Sequence, residues 1–215
     1  MTADKTDILK FMITLLTIIN PLGAIPIFLS LTDNFSQQHI VTVSKTCSIA
    51  VIVTLCISLI FGQNILNMFG ISIPSFTIGG GILLLSMAFS MITASPSKTK
   101  INKSEMETFE NRPDLGIVPL AIPMLAGPGS ISTAIIQGKS LSGLEQWLGS
   151  ILVIISMGVV VYVILRSSRT LGRKLGMVGM SVLSRVFGII LLAISIEMIA
   201  KGVKEILPIL KGAPV

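Results

Sequence analysis

The chain is poor in charge. Only 12% of its 215 residues are Asp, Glu, Lys or Arg, where a soluble domain carries about 25%. With 52% hydrophobic residues and a mean hydropathy of +0.90, that scarcity excludes an ordinary soluble domain and places the chain among membrane proteins. Histidine is nearly absent. His39, the only one, falls in a polar stretch with no Cys or His cluster beside it, which reads as a solvated loop residue rather than a metal or proton site. The two cysteines, Cys47 and Cys56, would lie about 13 Å apart on one helix, too far for a disulfide, and read as small apolar residues. No metal or cofactor is expected. No Asp lies deep in the apolar runs, and no nucleophile–base pair accompanies them, so an intramembrane enzyme is not expected either. The net charge of +6 does not indicate nucleic-acid binding, because the basic residues sit between apolar runs, as orientation signals do.

What the chain does have is long uncharged stretches. Phe11–Thr32 carries no charged residue and is long enough to cross a bilayer, yet its centre reads Asn20-Pro21-Leu22-Gly23-Ala24-Ile25-Pro26. Pro21 withdraws an N–H from the helical ladder, and Pro26 pushes Ile25 away from the α region. A first helix over about Ile8–Leu31 is therefore predicted to break at Pro21, and its freed backbone groups need partners inside the protein. Ser36 or Asn34 is placed to cap the next helix. Thr46–Ser97 holds neither charge nor histidine and must contain two spans, expected over Ser44–Asn64 and Ser75–Ala94. Gly79-Gly80-Gly81, early in the latter, suit close helix packing. The polar segment Ser95–Leu115 reads as a linker. A fourth span, Gly116–Gly138, contains Pro119, Pro123 and Pro128 and is predicted to break at Pro128, within Ala126-Gly127-Pro128-Gly129-Ser130. Gln146–Leu165 and about Val182–Val203 complete six spans. The N-terminus, with Asp4, Lys5, Asp7 and Lys10 and no small-x-small cleavage pattern, is not expected to be a cleaved signal.

Shifting the sequence by 107 positions lays Pro21 on Pro128, Gly81-Ile82-Leu83-Leu84-Leu85 on Gly188-Ile189-Ile190-Leu191-Leu192, and Met91-Ile92 on Met198-Ile199. With one residue of slip, Phe69-Gly70-Ile71 meets Leu175-Gly176-Met177. Three spans per half is an odd number, so the halves enter the membrane in opposite directions. The expected fold is an all-α membrane protein of six transmembrane helices in two inverted three-helix repeats, residues 1–94 and 116–215, joined by a cytoplasmic linker over 95–115. Ten of the 16 Lys and Arg residues follow spans 1, 3 and 5. By the positive-inside rule those loops are cytoplasmic and both termini lie outside, periplasmic in a Gram-negative cell.

These motifs resemble the MarC family of bacterial inner-membrane proteins, and most closely its YchE-like branch. The resemblance rests on Asn20–Phe28, Phe69–Pro74, Ile78–Ile82, Val118–Pro123 with Ala126–Gly129, and Arg185–Gly188, and covers essentially the whole chain. It implies a multi-pass protein of the bacterial inner membrane, some of whose relatives are classed as transporters of small neutral amino acids such as alanine and glycine. A zwitterionic substrate needs donors for its carboxylate and acceptors for its ammonium. A broken helix offers both, as free N–H groups at the start of its second half and free carbonyls at the end of its first. The candidate site is accordingly Asn20, Pro21 and Gly23 at one break and Gly127, Pro128, Gly129 and Ser130 at the other. The N–H groups of Gly129, Ser130 and Ile131, and their equivalents after Pro21, are the expected donors, with Thr17 and Ser132 as further acceptors. Glu197, the acidic residue well inside a span, is either a coupling-ion site or the partner of Lys201 four residues on. A channel for a small uncharged solute, or a membrane protein without transport activity, is the competing reading.

Overall fold

The structure is a computed structural model that describes residues 2–32, 35–93 and 125–210. Every element in it is a helix: α1 (Thr2–Ile19), α2 (Ile25–Leu31), α3 (Gln37–Met68), α4 (Ile73–Ile92), α5 (Pro128–Ser140), α6 (Leu144–Arg166) and α7 (Ser168–Leu210). The expected linker at 95–115, the start of the fourth span with Pro119 and Pro123, and Asn34 lie outside the described residues. Among the described residues four helices are long and apolar enough to cross a membrane: Gln37–Met68, Ile73–Ile92, Leu144–Arg166 and Val178–Leu207.

The first predicted helix is broken where the sequence says, but by Asn20 and Pro21 alone. Asn20 adopts φ 44°, a left-handed conformation that Asn tolerates better than most residues and that suits the residue before a proline, which is kept out of the α region. Pro26 does not interrupt the chain. It occupies the first turn of α2, where a missing N–H costs nothing.

Ser36 caps α3, its hydroxyl accepting from the His39 N–H at 3.2 Å. That helix runs well beyond the expected Ser44–Asn64, because its polar first turns are helical though not hydrophobic. It ends in a Schellman turn: Gly70 takes φ 66°, the Gly70 N–H reaches the Asn67 carbonyl at 3.0 Å, and the Ile71 N–H reaches that of Leu66 at 2.9 Å. The boundary between spans 2 and 3 thus falls at Phe69–Ser72. In the second half Gly176 takes φ 64° and kinks α7, separating its first two turns from the membrane-length remainder. The two positive-φ glycines are the pair that the repeat aligns with one residue of slip.

Helices α4 and α7 run antiparallel and pack along most of their length, from Gly202 against Pro74 and Ile78 at one end to Gly188 against Ile92 at the other. A Cβ added to Gly81 would lie 2.7 Å from Cγ1 of Ile199 and 3.3 Å from its backbone N; one added to Gly188 would lie 2.8 Å from Cγ1 of Ile92 and 3.1 Å from its N. The offset of 107 that carries Gly81 to Gly188 also carries Ile92 to Ile199, so each contact is the image of the other. Of the three consecutive glycines, Gly80 and Gly81 sit at helix crossings and Gly79 meets nothing within 4 Å.

The main buried cluster joins α1, α2, α3, α5 and α6 through residues such as Leu15, Phe28, Val51, Leu55, Ala134 and Ile154. A smaller cluster, Ile18, Leu84, Ala88 and Leu191, ties α1 to α4 and α7. Outward faces are also apolar, with Val53, Leu148, Leu152, Val159 and Ile189 exposed, as lipid contact requires.

Candidate functional site

At the first break most of the freed N–H groups find partners within the break. The Asn20 side-chain oxygen accepts the Gly23 N–H at 3.1 Å. The Asn20 carbonyl accepts the Ala24 N–H at 3.2 Å, and the Leu22 carbonyl accepts the Ile25 N–H at 3.2 Å. Asn20, Pro21 and Gly23 are all buried. The Asn20 amide lies so close over Gly23 that a Cβ there would collide with its Nδ2. Of the donors expected after Pro21, Asn20 takes the Gly23 and Ala24 N–H groups, and the Leu22 N–H has no partner among the described residues. Thr17, an expected acceptor, donates its hydroxyl to the Ile13 carbonyl at 2.7 Å.

The second predicted break is described only from Leu125 onward, as the start of α5. Gly127, extended at φ −74° and ψ 174°, is the N-cap of α5 and has no side chain to cap it. The Ile131 N–H closes the first helical turn onto the Gly127 carbonyl at 3.0 Å, which removes it from the expected donors. The N–H groups of Gly129 and Ser130 have no such partner among the described residues. The Ser130 hydroxyl turns back to the Gly127 carbonyl at 2.9 Å, so it serves the break rather than the space beyond it. Ser132, 1% exposed, has an Oγ with no hydrogen-bond partner among the described residues, beside the crossing of α4 where the Gly80 Cβ position is 3.3 Å from it. A buried hydroxyl left in this state costs about 1–3 kcal/mol. Two N–H groups without a partner among the described residues thus stand at the positive end of a helix dipole.

Both breaks rest on one face of α4. A Cβ on Gly23 would meet Met91, and a Cβ on Gly129 would meet Leu84. Those contacts are two turns apart on α4, about 10 Å along its axis.

A cavity of about 600 Å³ opens beside the second break, within the size range of small-molecule sites. It follows α1 from Asp7 and Lys10 past Thr14 to Ile18, with Thr133 and Gln137 of α5, Thr77 of α4 and Glu197 and Lys201 of α7 around it. Its outer part thus carries two carboxylates and two ammonium groups, and its inner end is apolar. Asp7 and Lys10 form an exposed ion pair at 3.7 Å. The i, i+4 pair suggested for Glu197 and Lys201 is not formed: Glu197 is exposed, and no ion pair joins the two among the described residues. Thr14, Thr133 and Gln137 are not singled out by the sequence reading. Their signal is a polar stripe at helical spacing, Lys10-Thr14 on α1 and Thr133-Gln137-Ser140 on α5, inside otherwise apolar spans. No group of three His, Cys, Asp or Glu side chains suited to a metal occurs among the described residues.

Comparison with known proteins decides the family. Residues 5–207 match the model of the MarC family integral membrane proteins. The chain belongs to the MarC family. It is 38% identical over 199 residues to the UPF0056 membrane protein YhcE of Escherichia coli, covering 93% of each chain. It is 33% identical to a UPF0056 membrane protein of Aquifex aeolicus, covering 92% of each. It is also 33% identical to one of Methanocaldococcus jannaschii, covering 89% of this chain and 93% of that one. No solved structure matches. As a MarC family member with several apolar helices of membrane length, the chain is a multi-pass integral membrane protein.

Proposed function

We propose that this MarC family protein is a secondary transporter of small neutral amino acids, alanine or glycine in the first instance, across the bacterial inner membrane, with export one of the directions open to it. It stands in the YchE-like branch of its family by the motifs given above. The observation that carries the transporter reading is the uncapped start of α5, with the Gly129 and Ser130 N–H groups unbonded among the described residues, near the inner end of a cavity ringed by charges of both signs. A carboxylate suits the donors, and an ammonium suits the carbonyls and carboxylates around it.

The architecture of the proposal is six spans in two inverted repeats, with the linker cytoplasmic and both termini periplasmic. The reciprocal packing of Gly81 on Ile199 and Gly188 on Ile92 supports it, since a two-fold axis in the membrane plane demands paired contacts of this kind. Glu197, on the cavity wall without an ion-pair partner among the described residues, is the proposed coupling residue. Glu197→Gln is expected to lower transport without lowering the melting temperature.

The experiment is counterflow in proteoliposomes preloaded with unlabelled alanine or glycine. Saturable, transient accumulation of labelled substrate is the expected result. Flux that does not saturate and shows no counterflow favours a channel, and absence of any flux removes the transporter reading.

A further inference from the structure

The donors at the second break are not open to the cavity. Ile18 lines the inner end of the cavity and also covers the break: a Cβ on Gly129 would lie 3.1 Å from Cγ2 of Ile18 and 2.5 Å from Cδ1 of Leu84. Ile18 and Leu84 are 6% and 4% exposed and belong to the small cluster with Ala88 and Leu191, apart from the main core. Two apolar side chains, one from α1 and one from α4, therefore meet over Gly129, and the α1 one also lines the cavity.

The geometry points to Ile18 and Leu84 as the selectivity gate of this protein: together they close the path from the cavity to the Gly129–Ser130 donors, and their bulk limits the size of the neutral amino acid admitted. The inference rests on the transporter reading for its substrate class, but the closure itself does not. Three features fit a gate rather than ordinary packing. The two side chains come from different helices and meet over a glycine. The cavity ends on one of them. The Ser132 hydroxyl, three residues along α5 from Gly129, has no hydrogen-bond partner among the described residues, a state that a sealed apolar core would not leave. Because the closure needs no charge and no hydrogen bond, its strength depends on side-chain volume and is tuned by truncation.

The test separates gate from substrate. Ser130→Cys is introduced in a Cys47→Ser, Cys56→Ser background, and its reaction with methyl methanethiosulfonate, a small neutral thiol reagent, is timed in detergent. Thr14→Cys in the same background is the open-cavity control. With the gate intact, the Ser130→Cys thiol should react at least about tenfold more slowly than the Thr14→Cys thiol. Leu84→Ala or Ile18→Ala should raise the slower rate about tenfold or more, the scale set by a modest change in opening free energy. Leu84→Val, a smaller truncation, should lie between and guards against a variant that loosens the fold; melting temperatures are compared for each. Equal rates for the two thiols with both gate residues intact, or a Ser130→Cys rate unmoved by both truncations, would overturn the gate. A second arm adds alanine. Slowed labelling supports the substrate class, while a rate that responds to truncation but not to alanine retains the gate and rejects that class. In proteoliposomes the Leu84→Ala protein should accept valine and leucine that the parent excludes; an unchanged size cut-off in a protein that transports alanine would overturn the selectivity role.

Discussion

The two predicted breaks come from similar sequence and differ in the partner of one N–H, bonded at Gly23 and unbonded among the described residues at Ser130. At the first, Asn20 turns left-handed and spends its own side chain and carbonyl on the N–H groups that Pro21 releases. At the second, the residue in the capping position is Gly127, which offers only its backbone, and two N–H groups of α5 remain unbonded among the described residues. One amide side chain makes the difference: Asn20 takes the N–H two places after its proline, and Gly127 leaves the corresponding Ser130 N–H without a partner among the described residues. The first break leaves one N–H, that of Leu22, without a partner among the described residues and the second leaves two, and Ile18, which lines the cavity, packs over Gly129 of the second.

The largest effect should come from filling the open break. Gly129→Val is expected to abolish alanine transport, because a β-branched side chain covers the donors and meets Leu84 and Ile18, while Gly129→Ala should retain part of it. Uptake in proteoliposomes checks both. Parental rates for Gly129→Val would erase the distinction between the breaks.

Next in size is the crossing that makes the halves comparable. Leucine at Gly81 or at Gly188 overpacks against Ile199 or Ile92, and each should cost up to about 3 kcal/mol. If the halves are images, the two losses should agree closely. Thermal denaturation of the two single variants reads this, and a large cost at one with none at the other would break the symmetry.

Smaller is the sealed break itself. Asn20→Leu removes a buried cap and puts a poorly suited residue at positive φ, together about 2 kcal/mol. Stability should fall, yet transport per folded molecule should stay near parental, since Asn20 serves the backbone rather than a ligand. Loss of transport at unchanged stability would return Asn20 to the binding site.

Much of this is legible in the sequence, and the failures have physical causes. Pro21 marks a break and Pro128 a helix start because a missing N–H is a local, unavoidable fact. Glycines at Gly70 and Gly81 mark a turn and a crossing for equally local reasons. Asn20 reads as a substrate partner in the sequence because its amide can serve either a ligand or the adjacent backbone, and only the conformation at φ 44° decides. Ile131 reads as a donor because counting from Pro128 overlooks the turn that Gly127 closes. Helix ends are displaced since hydropathy reports the bilayer, whereas α3 continues into polar residues that are good helix formers. The cavity and the Ile18–Leu84 contact belong to no single helix, so no window of sequence contains them.

The account turns on which break holds available donors. Backbone amide shifts in protein selectively labelled with ¹⁵N-glycine and ¹⁵N-serine, reconstituted in nanodiscs and titrated with alanine, read this directly. The account predicts saturable shifts at Gly129 and Ser130 with Gly23 unmoved. Saturable shifts at Gly23 with Gly129 and Ser130 silent would contradict it.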